Sequence, residues 1–87
     1  MTTKPPPTVK SSPDKLQEAM AYASVAGIPT VEPHDRDRLG YNVWRCLAFR
    51  KDPLEAAVRS AGARLLITEE EALDRIRQSL RTQGVEL

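Results

Sequence analysis

The nine residues YNVWRCLAF, residues 41–49, carry much of the apolar bulk that this 87-residue chain has for a core. They include the only Trp (Trp44), the only Cys (Cys46), the only Phe (Phe49) and one of the two Tyr residues, Tyr41. Because a chain this short buries a limited fraction of its surface, the conformation of this stretch decides how the core is built.

Two conformations are open to this stretch. A helix over about residues 35–50 would place Leu39, Val43 and Leu47 at four-residue spacing, but a glycine and several modest helix formers would lie inside it. A strand over residues 41–49 would be apolar on both faces, as is typical of a sheet interior. We therefore predict a strand, with the helix over 35–50 as the alternative.

The segment that follows has the pattern of a capped helix. Asp52 can cap it, Pro53 suits the first helical position, and Glu55 completes a capping box. We expect this helix to end at Gly62, and the apolar run at residues 64–67 to form a short buried strand paired with residues 41–49.

A second capping box precedes the last helix. Thr68 is followed three residues later by Glu71, and the acidic first turn suits the positive end of the helix dipole. Gly84 is the expected end of this helix, and residues 85–87 would add a last short strand or fray.

Upstream of the central stretch, the chain begins with a Pro-rich segment. Residues 1–11 are predicted to be a disordered tail, since they contain too few apolar residues to offset the entropy of ordering. A helix should run over about residues 13–26, with Ser12 as its cap, followed by a short strand at residues 28–32 and a polar turn at residues 33–40.

The predicted order is helix, strand, strand, helix, strand, helix. This order indicates a small α+β domain over residues 12–87 with its helices packed on a small sheet. If residues 35–50 are helical instead, the domain becomes an all-α four-helix domain.

Composition excludes several classes of protein. The net charge of +1 gives no bulk attraction to nucleic acid or to a membrane, and a single Cys excludes an internal disulfide. The sequence contains neither an apolar signal segment nor a run of 18 apolar residues. We therefore expect a cytoplasmic protein with no membrane contact.

The residues that could support catalysis are sparse. Cys46 as a nucleophile and His34 as its base would make a thiol-dependent enzyme, which is the remote alternative. One His and one Cys do not provide the usual ligands of a structural zinc site, and the isolated glycines form no phosphate-binding loop. We therefore predict a protein that is not an enzyme and uses no metal or cofactor.

Basic residues around the aromatic stretch favour a second alternative, a small nucleic-acid-binding regulator. Cations interleaved with aromatic rings can contact phosphates and stack on bases. Nearby acidic residues nearly cancel this charge, however. The residues that would carry this function are Arg36, Arg38, Arg45, Arg50 and Lys51.

Protein binding is the interpretation that the sequence favours. Trp, Tyr and Arg are the residue types that dominate the energetics of protein interfaces. We predict a non-enzymatic accessory or regulatory protein that acts through protein–protein contacts, with a protein partner or a second copy of the chain. The candidate contact residues are Tyr22, Tyr41, Trp44 and Arg45.

Overall fold

The protein is all-α. The computed structural model describes residues 7–86, with side chains from residue 15 onward, and this part of the chain forms four helices and no strand. They are α1 (Pro7–Val25), α2 (Pro33–Phe49), α3 (Leu54–Ser60) and α4 (Glu69–Thr82). The predicted α+β fold is therefore wrong, and the alternative with residues 35–50 in a helix is close to the observed α2.

The strand predicted at residues 41–49 is the last half of α2. This helix begins upstream of the aromatic stretch, where the Glu32 N–H donates to Asp35 Oδ2 at 3.0 Å and Pro33 takes the first position. Residues 33–40, expected to be a turn, form its first two turns. Burial of the stripe that contains Leu39, Val43 and Leu47 then outweighs the weak helix propensity of the residues around it.

The two short strands predicted at residues 28–32 and 64–67 do not form. In their place the structure has one isolated antiparallel bridge, between Thr30 and Leu65. The Val31 N–H donates to the Arg64 carbonyl at 2.9 Å, and the Leu66 N–H donates to the Pro29 carbonyl at 3.0 Å. The bridge joins the α1–α2 loop to the α3–α4 loop. The domain thus consists of two helix–loop–helix units whose loops are tied together, and residues 64–67 do not pair with residues 41–49.

The first helix is longer than expected. It begins at Pro7 rather than near Pro13, so residues 7–11 of the predicted disordered tail lie within α1. The disorder predicted for residues 1–6 lies outside the described part of the chain.

The last helix was predicted well. The Thr68 hydroxyl accepts from the Glu71 N–H at 3.0 Å, which confirms the cap. After α4, Gly84 has a φ of 90°, and the Val85 N–H donates to the Leu80 carbonyl at 2.9 Å. This hydrogen bond closes the helix end, and residues 85–86 form no strand.

The core lies where all four helices converge. The helix α2 packs against α1 and α3, and α4 packs against the same two helices. The fully or almost fully buried aliphatic residues include Val25, Ile28, Leu39, Val43, Ile76 and Leu80. Within residues 7–86, no helix is long and apolar enough to cross a membrane.

Candidate functional site

The side of α2 that faces away from the core carries a group of aromatic rings. Tyr41 is 49% exposed and Phe49 is 57% exposed. The indole of Trp44 lies between them, with its ring centroid 5.8 Å from that of Tyr41 and 6.2 Å from that of Phe49. Together with Arg45, these three residues form what we call the aromatic surface.

Arg45 covers this surface with its guanidinium. Its Cζ lies 5.9 Å from the ring centroid of Tyr41 and 6.0 Å from that of Phe49, within cation–π distance of both. The four-residue spacing from Tyr41 to Arg45 to Phe49 places the three side chains close together along one side of the helix. Among the described residues, Arg45 makes no ion pair with a carboxylate.

Trp44 belongs both to the core and to the aromatic surface. It is half-buried and packs against the buried aliphatic cluster, while its ring also contacts the two exposed aromatic residues. Its indole Nε1 is buried and finds no hydrogen-bond acceptor in the described part of the chain. A buried donor without an acceptor costs free energy of folding.

A cavity of about 200 Å³ lies beside the aromatic surface, between α2 and α3. The Asn42 amide nitrogen forms part of its wall and donates to the Ala57 carbonyl at 3.0 Å and to the Ser60 hydroxyl at 3.1 Å. A shallower hollow lined by Asp37 and Tyr41 shares Asn42 and Ser60 with it, so the two form one groove along α2. The cavity is smaller than the ~300–1,000 Å³ typical of small-molecule sites and is large enough for a single side chain.

The thiol and the imidazole predicted as a catalytic dyad are not brought together. His34 lies in the first turn of α2, where its Nδ1 is 3.3 Å from Glu32 Oε1, whereas Cys46 lies in the last turn. Twelve residues of helix separate them by ~18 Å. The Cys46 thiol donates to the Asp52 carbonyl at 3.2 Å, and burial raises its pKa, the opposite of what activates a cysteine nucleophile.

The structure distributes the predicted nucleic-acid residues around α2. Arg36 donates to the Ile28 carbonyl at 3.0 Å, and Arg38 pairs with Asp35 at 2.6 Å. Arg50 donates to the Glu86 carbonyl at 3.3 Å. These three side chains hold together parts of the same domain. The remaining two residues, Arg45 and Lys51, line the cavity.

Tyr22 lies in the crossing of α1 and α2 rather than on the aromatic surface. Its ring covers Gly40, which is buried within α2. Burial is the main cause of the raised pKa of its phenol, and the nearby Glu18 and Asp37 carboxylates raise it further. Tyr22 thus has a packing role that its residue type did not reveal.

Asp35 is a fully buried carboxylate that sequence reasoning missed. Its oxygens accept from the Glu32 N–H at 3.0 Å and from Arg38 at 2.6 Å, and Arg64 lies 3.1 Å away. Burial raises its pKa, but the hydrogen bonds from Arg64 and Glu32 and the charge of Arg64 outweigh this and lower the pKa overall. Asp35 therefore ties the start of α2 to the α3–α4 loop. Its sequence signal was its position two residues after Pro33, where an acidic side chain can cap a helix.

Neither metal ligands nor known relatives point to a function. Within the described residues, no group of three or more His, Cys, Asp or Glu side chains is placed to hold a metal ion. Comparison with protein-family models, curated proteins and solved structures gives no match to this chain.

Proposed function

We propose that this protein is a non-enzymatic accessory or regulatory protein that binds another protein chain through the aromatic surface on α2. The observation that carries the proposal is the exposure of Tyr41 and Phe49 next to the Arg45 guanidinium on one side of a single helix. Tyr, Trp and Arg are the residues that most often dominate binding energy, and a contiguous apolar patch on a small domain is typical of an interaction site.

The groove beside this surface also favours a macromolecular partner. Its cavity of about 200 Å³ accepts one side chain, and the Asn42 amide in its wall already donates to the Ser60 hydroxyl, which donates to the Ala57 carbonyl. A partner helix lying on α2 could insert one anchor residue there, in the way helices dock into grooves. We place this activity in the cytoplasm, as expected from the sequence.

Nucleic acid is the second candidate, because Arg45 and Lys51 lie together beside exposed rings. Two observations disfavour it. The Arg45 guanidinium covers the faces of Tyr41 and Phe49 on which bases would have to stack. In addition, Arg36 and Arg38 are already engaged within the domain.

Affinity capture from the source cell tests the proposal. The full chain and a Tyr41→Ala/Phe49→Ala variant would be used as bait, and captured proteins would be quantified by mass spectrometry. Leu66→Ala is the matched control, since Leu66 is 64% exposed but lies in the α3–α4 loop, outside the aromatic surface. We expect a stoichiometric protein partner with the wild type and the control, and its loss with the double variant. A partner retained by the double variant, with circular dichroism showing an intact fold, would move the interface elsewhere.

A further inference from the structure

Three residues on the exposed side of α2 form a regular series. Asp37, Tyr41 and Arg45 follow one another at four-residue spacing, so an acid, an aromatic ring and a base lie along one side of the helix. All three are exposed, and neither Asp37 nor Arg45 makes an ion pair within the described part of the chain. Some other exposed charges of the domain are paired, as in Arg59 with Glu69 and Arg75 with Glu71, whereas others, such as Lys51 and Glu70, form no ion pair among the described residues.

This series is complementary to itself when one copy is reversed. Asp37 and Arg45 lie ~6 Å on either side of Tyr41 along the helix axis. A twofold axis that is perpendicular to α2 and passes beside Tyr41 relates the level of residue 37 in one copy to the level of residue 45 in the other. It brings Asp37 of each copy opposite Arg45 of the other and places the two Tyr41 rings next to each other. A twofold contact requires this reciprocity, in which residue i meets residue j and j meets i.

We infer that the partner on this surface is a second copy of the same chain, with two α2 helices packed antiparallel about a twofold axis at Tyr41. The inference rests on the proposed protein-binding function of the aromatic surface and names its partner. Two reciprocal Asp37–Arg45 pairs fix the register of the helices, and the exposed rings of both copies supply the apolar contact.

The position of Arg45 is compatible with this contact. A guanidinium stacked on aromatic rings keeps the N–H groups at its edge free, so Arg45 can remain over Tyr41 and Phe49 while it donates to a carboxylate. Arg45 is therefore already held in place before the second copy arrives, which reduces the entropy lost on binding.

Charge exchange between the two positions tests the inference directly. In Asp37→Arg, and equally in Arg45→Asp, both reciprocal pairs become like-charged, so we expect the dimer dissociation constant to rise about tenfold or more. In the double variant Asp37→Arg/Arg45→Asp, both pairs are attractive again and dimerisation should return. An equimolar mixture of the two single variants should also form a heterodimer, because one copy then carries a base at both positions and the other carries an acid at both. Analytical ultracentrifugation of the full-length chains measures all four cases.

A cross-link at the axis gives a second test that does not depend on charge. In a Cys46→Ser background, Tyr41→Cys places one thiol beside its symmetry mate, so mild oxidation should produce a disulfide-linked dimer. Asp74→Cys, exposed on α4, is the control and should react far less. A wild-type chain that stays monomeric, or single variants whose mixture does not associate, would overturn the inference.

The outcomes also separate this inference from the proposed function on which it rests. A monomeric chain that captures a different protein through Tyr41 and Phe49 would leave the binding function in place and refute the second copy as partner. A monomeric chain that binds labelled duplex or single-stranded nucleic acid with steep salt dependence would refute both.

Discussion

The contact between Tyr22 and Gly40 provides a quantitative test of how α1 and α2 are joined. Gly40 is buried within α2, and the Tyr22 ring lies directly on it. A Cβ added at Gly40 would lie 2.5 Å from Tyr22 Cδ1, 2.8 Å from Cε1 and 3.3 Å from Cγ. Because Cγ is anchored close to the α1 backbone, the ring cannot swing away without moving the helix.

Two opposing terms determine the effect of Gly40→Ala. Replacing Gly by Ala within a helix favours folding by about 0.8–1 kcal/mol, whereas overpacking a buried contact costs about 1–3 kcal/mol. In the wild-type protein we therefore expect a net destabilisation of about 0–2 kcal/mol. In a Tyr22→Ala background the ring is absent, so Gly40→Ala should stabilise the fold by about 0.8–1 kcal/mol. The coupling energy between the two sites should then be about 1–3 kcal/mol.

Urea denaturation followed by circular dichroism measures the four free energies of unfolding in this double-mutant cycle. Gly27→Ala, combined with Tyr22→Ala in the same way, is the control, because a Cβ at Gly27 meets no other atom within 4 Å. That control cycle should be additive. A Gly40→Ala effect of the same sign and size in both backgrounds would refute the close approach of the two helices at this point.

Three further predictions concern single side chains. Asp35→Asn should lower the melting temperature at neutral pH, while Asp74→Asn, on the exposed side of α4, should not. Folding lowers the pKa of the Asp35 carboxyl from 3.8. The stability that this carboxylate contributes to the fold should therefore be complete above about pH 4–5 and be lost as the pH falls through the folded-state pKa. The stabilities of the wild type and Asp35→Asn should thus converge in acid. Trp44→Phe should change the free energy of unfolding, measured in urea, by less than about 1.5 kcal/mol. The smaller ring loses apolar contact area, but the substitution also removes a buried indole N–H that has no acceptor in the described chain. A larger loss of stability would mean that the indole N–H is hydrogen-bonded. Cys46 should react with iodoacetamide more slowly in the native protein than in guanidinium at neutral pH, since burial raises the thiol pKa; faster reaction in the native state would support the thiol-enzyme interpretation.

The parts of the fold that sequence predicted best are those defined by local signals. The Thr68 cap with Glu71 and the glycine that follows α4 lie within a few residues of the helix ends that they specify. The β-branched segment around Thr30 and the apolar run around Leu65 were also recognised as extended, but their pairing with each other was not. Which segments pair is decided by the packing of helices far apart in the sequence, and no local pattern reports it.

The candidate site was predictable in part. Residue type alone singled out Tyr41, Trp44 and Arg45, which the structure places next to one another on α2. Phe49 was expected in the core because a strand would have directed its side chain inward. In the helix α2 the side chain is exposed instead. Asp35 was overlooked because its two arginine partners come from different elements, and the contact with Arg64 spans 29 residues of chain.

The apolar side chains on both sides of residues 41–49 led to the wrong prediction of a strand, and the same side chains are the basis of the proposed function. Apolar side chains on both sides of this stretch favoured a strand in a sheet interior. In the helix that forms instead, Val43 and Leu47 face the core, and Tyr41 and Phe49 remain about half exposed to solvent. A helix of a lone globular domain normally confines its apolar residues to one stripe. The folding of the described residues therefore does not explain the second apolar side of α2, and a second chain packed on α2 would account for it.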